Sequence, residues 1–153
     1  MKLSAEGKEL IVQINEIILS DAKNDLEDFD LFIKRVKHSD SLDLSISYRV
    51  DEFLVFYLKE EGELLAKYEL LPTRFDLRLP HGVSCKIWFT SDKAVEFLKL
   101  LNELLMDMIG VSSVRDIIGV EVISLQSVND WVNSFWKGQK HGFISRAFKN
   151  RGA

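Results

Sequence analysis

Residues 42–50 read LDLSISYRV, and this stretch decides the fold. Leu42, Leu44, Ile46, Tyr48 and Val50 alternate with Asp43, Ser45, Ser47 and Arg49. A period of two with one apolar face is the pattern of a half-buried β-strand. Toward the C-terminus the same logic repeats. Phe53 to Leu58 is apolar without a break and predicts a central strand covered on both faces. Glu60-Glu61-Gly62-Glu63 is a turn, and Leu64, Ala66, Tyr68 and Leu70 form the return strand. After Pro72, Phe75, Leu77 and Leu79 alternate with Asp76 and Arg78. Pro80-His81-Gly82 turns the chain again, and Val83, Cys85, Ile87 and Phe89 share one face of a fifth strand. Connections this short force neighbouring strands to be antiparallel. The prediction is an antiparallel meander of about five strands.

Helices flank the meander. Ser4 is placed to cap a helix over about 5–20, in which Leu10, Ile14, Ile17 and Ile18 recur at helical spacing. Between Asp25 and His38 two readings compete. Leu26, Phe29, Phe32, Ile33 and Val36 suit a second helix with its acids early and bases late, and a strand from Phe29 is the alternative. Beyond the sheet, Ser91 can cap a long helix over about 91–109. Ala94, Phe97, Leu98, Leu101, Leu104, Leu105 and Met108 form its apolar stripe, and Gly110 ends it. Laying this stripe on the sheet is the simplest way to bury both. Val120 to Leu125 reads as a short sixth strand. A helix through Val132, Phe135 and Trp136 follows, and residues 137–153 hold a further helical turn or two. The expected class is α+β, one domain spanning 1–153, with no internal repeat.

Of the 153 residues, 46% are hydrophobic and 29% charged, which excludes a disordered chain. A single cysteine excludes a disulfide framework and a cysteine-rich zinc module. No apolar stretch reaches signal-peptide or membrane-spanning length, so the sequence predicts a cytoplasmic protein and no membrane partner. The net charge of −4 conceals an asymmetry. Lys137, Lys140, Arg146, Lys149 and Arg151 give residues 137–153 a charge of +5 without one acid, and residues 1–136 carry −9.

Site motifs are sparse. The eight glycines form neither a dinucleotide fingerprint nor a phosphate loop, and no nucleophile elbow occurs. His38, His81 and His141 lie far apart with no zinc-type spacing. Cys85 and His81 are the one nucleophile-and-base pair to weigh. Four extended residues hold them roughly 13 Å apart, far beyond hydrogen-bond reach. Cys85 sits in register with Val83, Ile87 and Phe89, so it reads as a small core hydrophobe. The acids at 60–63 read as a solvated turn, and the run from Asp21 to Asp30 lacks the glycine and terminal glutamate of a calcium loop. The expectation is no catalytic residue, no cofactor and no metal.

Two surfaces suggest recognition instead. Trp88 falls on the side of its strand opposite Cys85, beside Lys86, with Arg78 on the previous strand and Arg49 on the first. An aromatic amid cations is the composition of a binding hot spot. The basic segment interleaves Trp136, Lys137, Lys140, Phe143, Arg146 and Lys149. Its aromatics serve base stacking, a partner's acidic groove, or anchorage to this chain's own acidic body. The function expected is therefore that of a small acidic non-catalytic protein acting on a macromolecular partner, of inhibitor, immunity or chaperone type. Alternatives are nucleic-acid binding through residues 137–153, and a small enzyme or small-molecule binder with a pocket between helix and sheet. A polar cluster near His81, Asp76 or Glu96 would mark that last reading. A homo-oligomer is compatible with all three.

Overall fold

The computed structural model describes residues 2–20, 27–48, 54–71 and 73–109, with Ser124, Gln126 and Asp130. Helices α1 (Ala5–Ser20) and α2 (Glu27–His38) lead into strands β1 (Leu42–Tyr48), β2 (Leu54–Glu60), β3 (Glu63–Leu70), β4 (Arg74–Arg78) and β5 (Ser84–Trp88). Helix α3 (Ala94–Ile109) follows them. The five strands lie in sequence order with every neighbour antiparallel. The fold is α+β, as the two periodicities predict. Residues 27–38 are helix, since Phe29, Phe32 and Val36 bury one face while acids open the helix and bases close it.

Local chemistry sets the ends. The Gly7 amide donates to Ser4 Oγ at 2.9 Å, so Ser4 is the cap of α1. Ser91 accepts from the Lys93 amide at 3.2 Å and, through its carbonyl, from the Ala94 amide at 3.1 Å. That serine therefore caps a turn, and the helix proper begins at Ala94. At the β2–β3 hairpin, Glu61 and Gly62 take φ of 49° and 86°. Two left-handed residues in succession match the right-handed twist of the flanking strands. The Pro80-His81-Gly82 loop closes with Leu79 N–H donating to Val83 O at 2.8 Å.

Register carries the apolar alternation across the whole sheet. Ile46, Phe56, Tyr68, Leu77 and Cys85 stand side by side on one face. One expectation fails here. The register shifts between Leu58 and Lys59, placing an extra residue in β3. Parity flips at that bulge, so Leu65 is buried and Leu64 only half-buried. On β2, Val55, Phe56 and Leu58 are all buried, which agrees with a strand covered on both sides.

The helical layer is shared rather than supplied by α3 alone. All seven stripe residues of α3 are buried, and Phe97 lies 4.7 Å from Phe75 of β4, ring centre to ring centre. Phe75 also meets Phe56 and Tyr68. Each such fully buried side chain contributes roughly 1.5–3 kcal/mol. From α1, Ile11, Ile14 and Ile18 join the same core, and buried Asn15 accepts the Tyr68 hydroxyl proton at 2.6 Å. Among the described residues no helix is long and apolar enough to cross a membrane. The stop at Gly110, the helix at 132–136 and the helical turns in 137–153 lie outside the described residues, and of the strand expected at 120–125 only Ser124 is described, in a bend and not in a strand.

Candidate interaction face

Opposite the core face, the register assembles a second set of side chains. Val55, Glu69, Asp76 and Lys86 share one row, Tyr57, Lys67, Arg78 and Ser84 the next, and Arg74 pairs with Trp88. Trp88 is 45% exposed although it is among the largest side chains in the protein. Its ring is not bare. The Arg74 guanidinium lies 5.4 Å and the Lys86 ammonium 5.6 Å from the ring centre. Cations at that distance are attracted by the ring's quadrupole.

Behind this ring the charges alternate. Arg74 Nε lies 2.9 Å from Asp76 Oδ1, and Arg78 reaches both Asp76 at 3.4 Å and Glu69 at 2.9 Å. Lys67 stands 3.5 Å from Glu69 on the far side. Glu69 and Asp76 are only 8% and 3% exposed, whereas their cationic partners reach solvent. A nearly buried carboxylate must be paired to be tolerated. The two acids thus pin three cations, Lys86 adds a fourth, and the face carries a surplus of two positive charges. The outcome is a cation-rimmed tryptophan at the β4–β5 edge of the sheet.

Sequence reading names Trp88, Lys86 and Arg78 of this face and misses Arg74, Glu69 and Asp76. The signal was present. Counting back equally from the loop before Gly82 sets Arg74 opposite Trp88 and Asp76 opposite Lys86. Arg49, Trp136, Lys137, Lys140, Phe143, Arg146 and Lys149 lie outside the described residues.

The nucleophile pair does not assemble. Cys85 is buried in the core and His81 exposed in the loop. Burial, reinforced by the nearby Asp76 charge, pushes the Cys85 thiol up to about 12. A thiol protonated at neutral pH is a poor nucleophile. The acids around Gly62 lie in a solvent-exposed turn, as the sequence predicts, and two of them are also paired. Arg35 of α2 donates to Glu60 at 2.9 Å and grips both oxygens of Glu63, at 3.3 and 2.6 Å. Hydrogen bonds from Ser39 and Arg35 hold Glu60, and the Arg35 bonds hold Glu63, below the ordinary carboxylate range. These contacts fasten α2 to the hairpin.

The three markers of a pocket stand apart. His81 rims an open groove of about 380 Å³ beside Leu31, Phe32 and Arg35. Asp76 belongs to the outer face, and Glu96 borders a separate depression with Lys93 and Gln13. Among the described residues no three metal-ligating side chains cluster.

No family model, curated protein or solved structure matches this chain. What fold and face define together is an α+β protein with a helix-covered sheet. Its other face ends in an exposed, cation-flanked aromatic.

Proposed function

We propose that this protein acts by binding a protein partner through the Trp88 face, as an inhibitor, immunity factor or chaperone does. One observation carries the reading: Trp88 is 45% exposed on a strand whose alternate residues build the core, and two cations hold its ring. An aromatic ordered before binding loses little conformational entropy on association, and tryptophan and arginine dominate measured hot spots.

Nucleic acid is the weaker reading for this face. A base stacking on Trp88 would have to displace Arg74 or Lys86 from the ring. The surplus positive charge favours a partner with acidic groups around an apolar socket.

The test is affinity capture from native lysate with bound protein and nucleic acid both identified. A stoichiometric protein partner should be retained by the wild type and lost from Trp88→Ala. Truncating a central aromatic anchor weakens binding by about thirtyfold or more. Capture of nucleic acid alone, or equal capture by both proteins, overturns the reading.

A further inference from the structure

A second surface, independent of the Trp88 face, lies where α1 and α3 run side by side. Between them is an open groove of about 550 Å³ with Leu10 and Met106 as its apolar lining. Met106 is 36% exposed, a large apolar side chain that lies outside the buried stripe of its helix. Glu6 and Glu9 stand on one rim, Glu103 and Asp107 on the other. Gly7 lets the helices close at one end, where an added Cβ would sit 3.0 Å from Asp107 Oδ2. Ser4 Oγ donates to that same carboxylate at 3.0 Å.

Those four carboxylates differ from the other acids described above. Glu69 and Asp76 are paired with arginine, and Glu60 and Glu63 share Arg35. Among the described residues none of the four makes an ion pair, and no cation lines the groove. An apolar strip between two uncompensated acidic rims is complementary to a segment bearing apolar anchors flanked by lysine and arginine. The groove beside Leu31 is less suited, since Arg35 stands on its rim.

The chain itself contains such a segment. Residues 137–153 carry +5 with no acid, and Phe143, Ile144 and Phe148 lie among the bases. Even with Gln126 and Asp130 in helix, the 27 residues between Ile109 and Lys137 can span on the order of 80 Å, so tether length sets no limit on reaching the groove. Tethering also raises the effective concentration to the order of millimolar. We propose that the α1–α3 groove is the docking site of this chain's own basic segment, residues 137–153. The segment's aromatic side chains enter between Leu10 and Met106, and its lysines and arginines meet Glu6, Glu9, Glu103 and Asp107. A polyanion that binds the segment must then compete with the groove for it.

A zero-length carbodiimide cross-linker tests this on the full chain at low ionic strength, with links in the monomer mapped by mass spectrometry. Lys137, Lys140 or Lys149 should join Glu6, Glu9, Glu103 or Asp107. Glu9→Lys with Glu103→Lys should cut that yield about tenfold or more, because two pairs are replaced by repulsion. About 0.5 M salt should lower it in the wild type, which needs no variant to fold. Links from these lysines to Glu27, Asp28 or Asp30 instead, links confined to dimers, or a yield indifferent to both salt and charge reversal overturn the proposal.

Discussion

Removing the Asp76 carboxylate tests whether the outer face is built as a unit. The Asp76 side chain is 5% exposed and lies against Arg74 at 2.9 Å and Arg78 at 3.4 Å. In Asp76→Ala both contacts vanish, and Arg78 keeps only Glu69. A charge-assisted hydrogen bond contributes about 1.5–3 kcal/mol when its partner is left buried. Here the arginine side chains are 30% and 47% exposed and can rehydrate, so the cost falls to about 1–2 kcal/mol. For a chain of this size that lowers the melting temperature by roughly 3–6 °C. Urea unfolding followed by circular dichroism gives the free energy. A double-mutant cycle with Arg74→Ala should return a coupling of about 0.5–1.5 kcal/mol, and a cycle with the distant Arg35→Ala a coupling near zero. Strict additivity of Asp76→Ala and Arg74→Ala would refute the pinned face, and with it the claim that Trp88 is presented in a fixed pose.

Two further outcomes follow from the core. Phe75→Ala empties the space among Phe56, Tyr68 and Phe97 and should cost about 3–5 kcal/mol by chemical denaturation, and a loss under about 1 kcal/mol would contradict the central packing. Cys85 predicts alkaline sensitivity. Its folded-state value of about 12 stands above the ordinary thiol value of 9.0, so its contribution is complete below pH 9.0 and is lost as pH climbs toward 12. At about pH 10.5 the penalty is about 2 kcal/mol, and Cys85→Ala should lose correspondingly less stability between neutral and alkaline pH than the wild type. Parallel pH profiles for the two proteins would show that the thiol is not held neutral by the fold.

Several parts of this protein are determined by the chain alone. Alternation at 42–50, turn chemistry at Gly62 and Pro80-His81-Gly82, and the stripe from Ala94 to Met108 are local patterns, and each specifies an element because side-chain period is fixed by backbone geometry. Even the outward position of Trp88 follows from the inward position of Cys85. Tertiary structure decided what depends on alignment between elements. A one-residue bulge exchanged Leu65 for Leu64 in the core, and nothing local to β3 announces it. Burial of Glu69 and Asp76, the capture of Glu69 by Arg78 of the next strand, and the grip of Arg35 on the β2–β3 hairpin all join residues distant in sequence or brought together by register, whereas Arg74 and Arg78 meet Asp76 along its own strand. A charged residue in a sequence is only a charge. Whether it is solvated, paired or left uncompensated depends on which neighbours the fold brings within about 4 Å, because Coulomb attraction and desolvation both act through space and not along the chain.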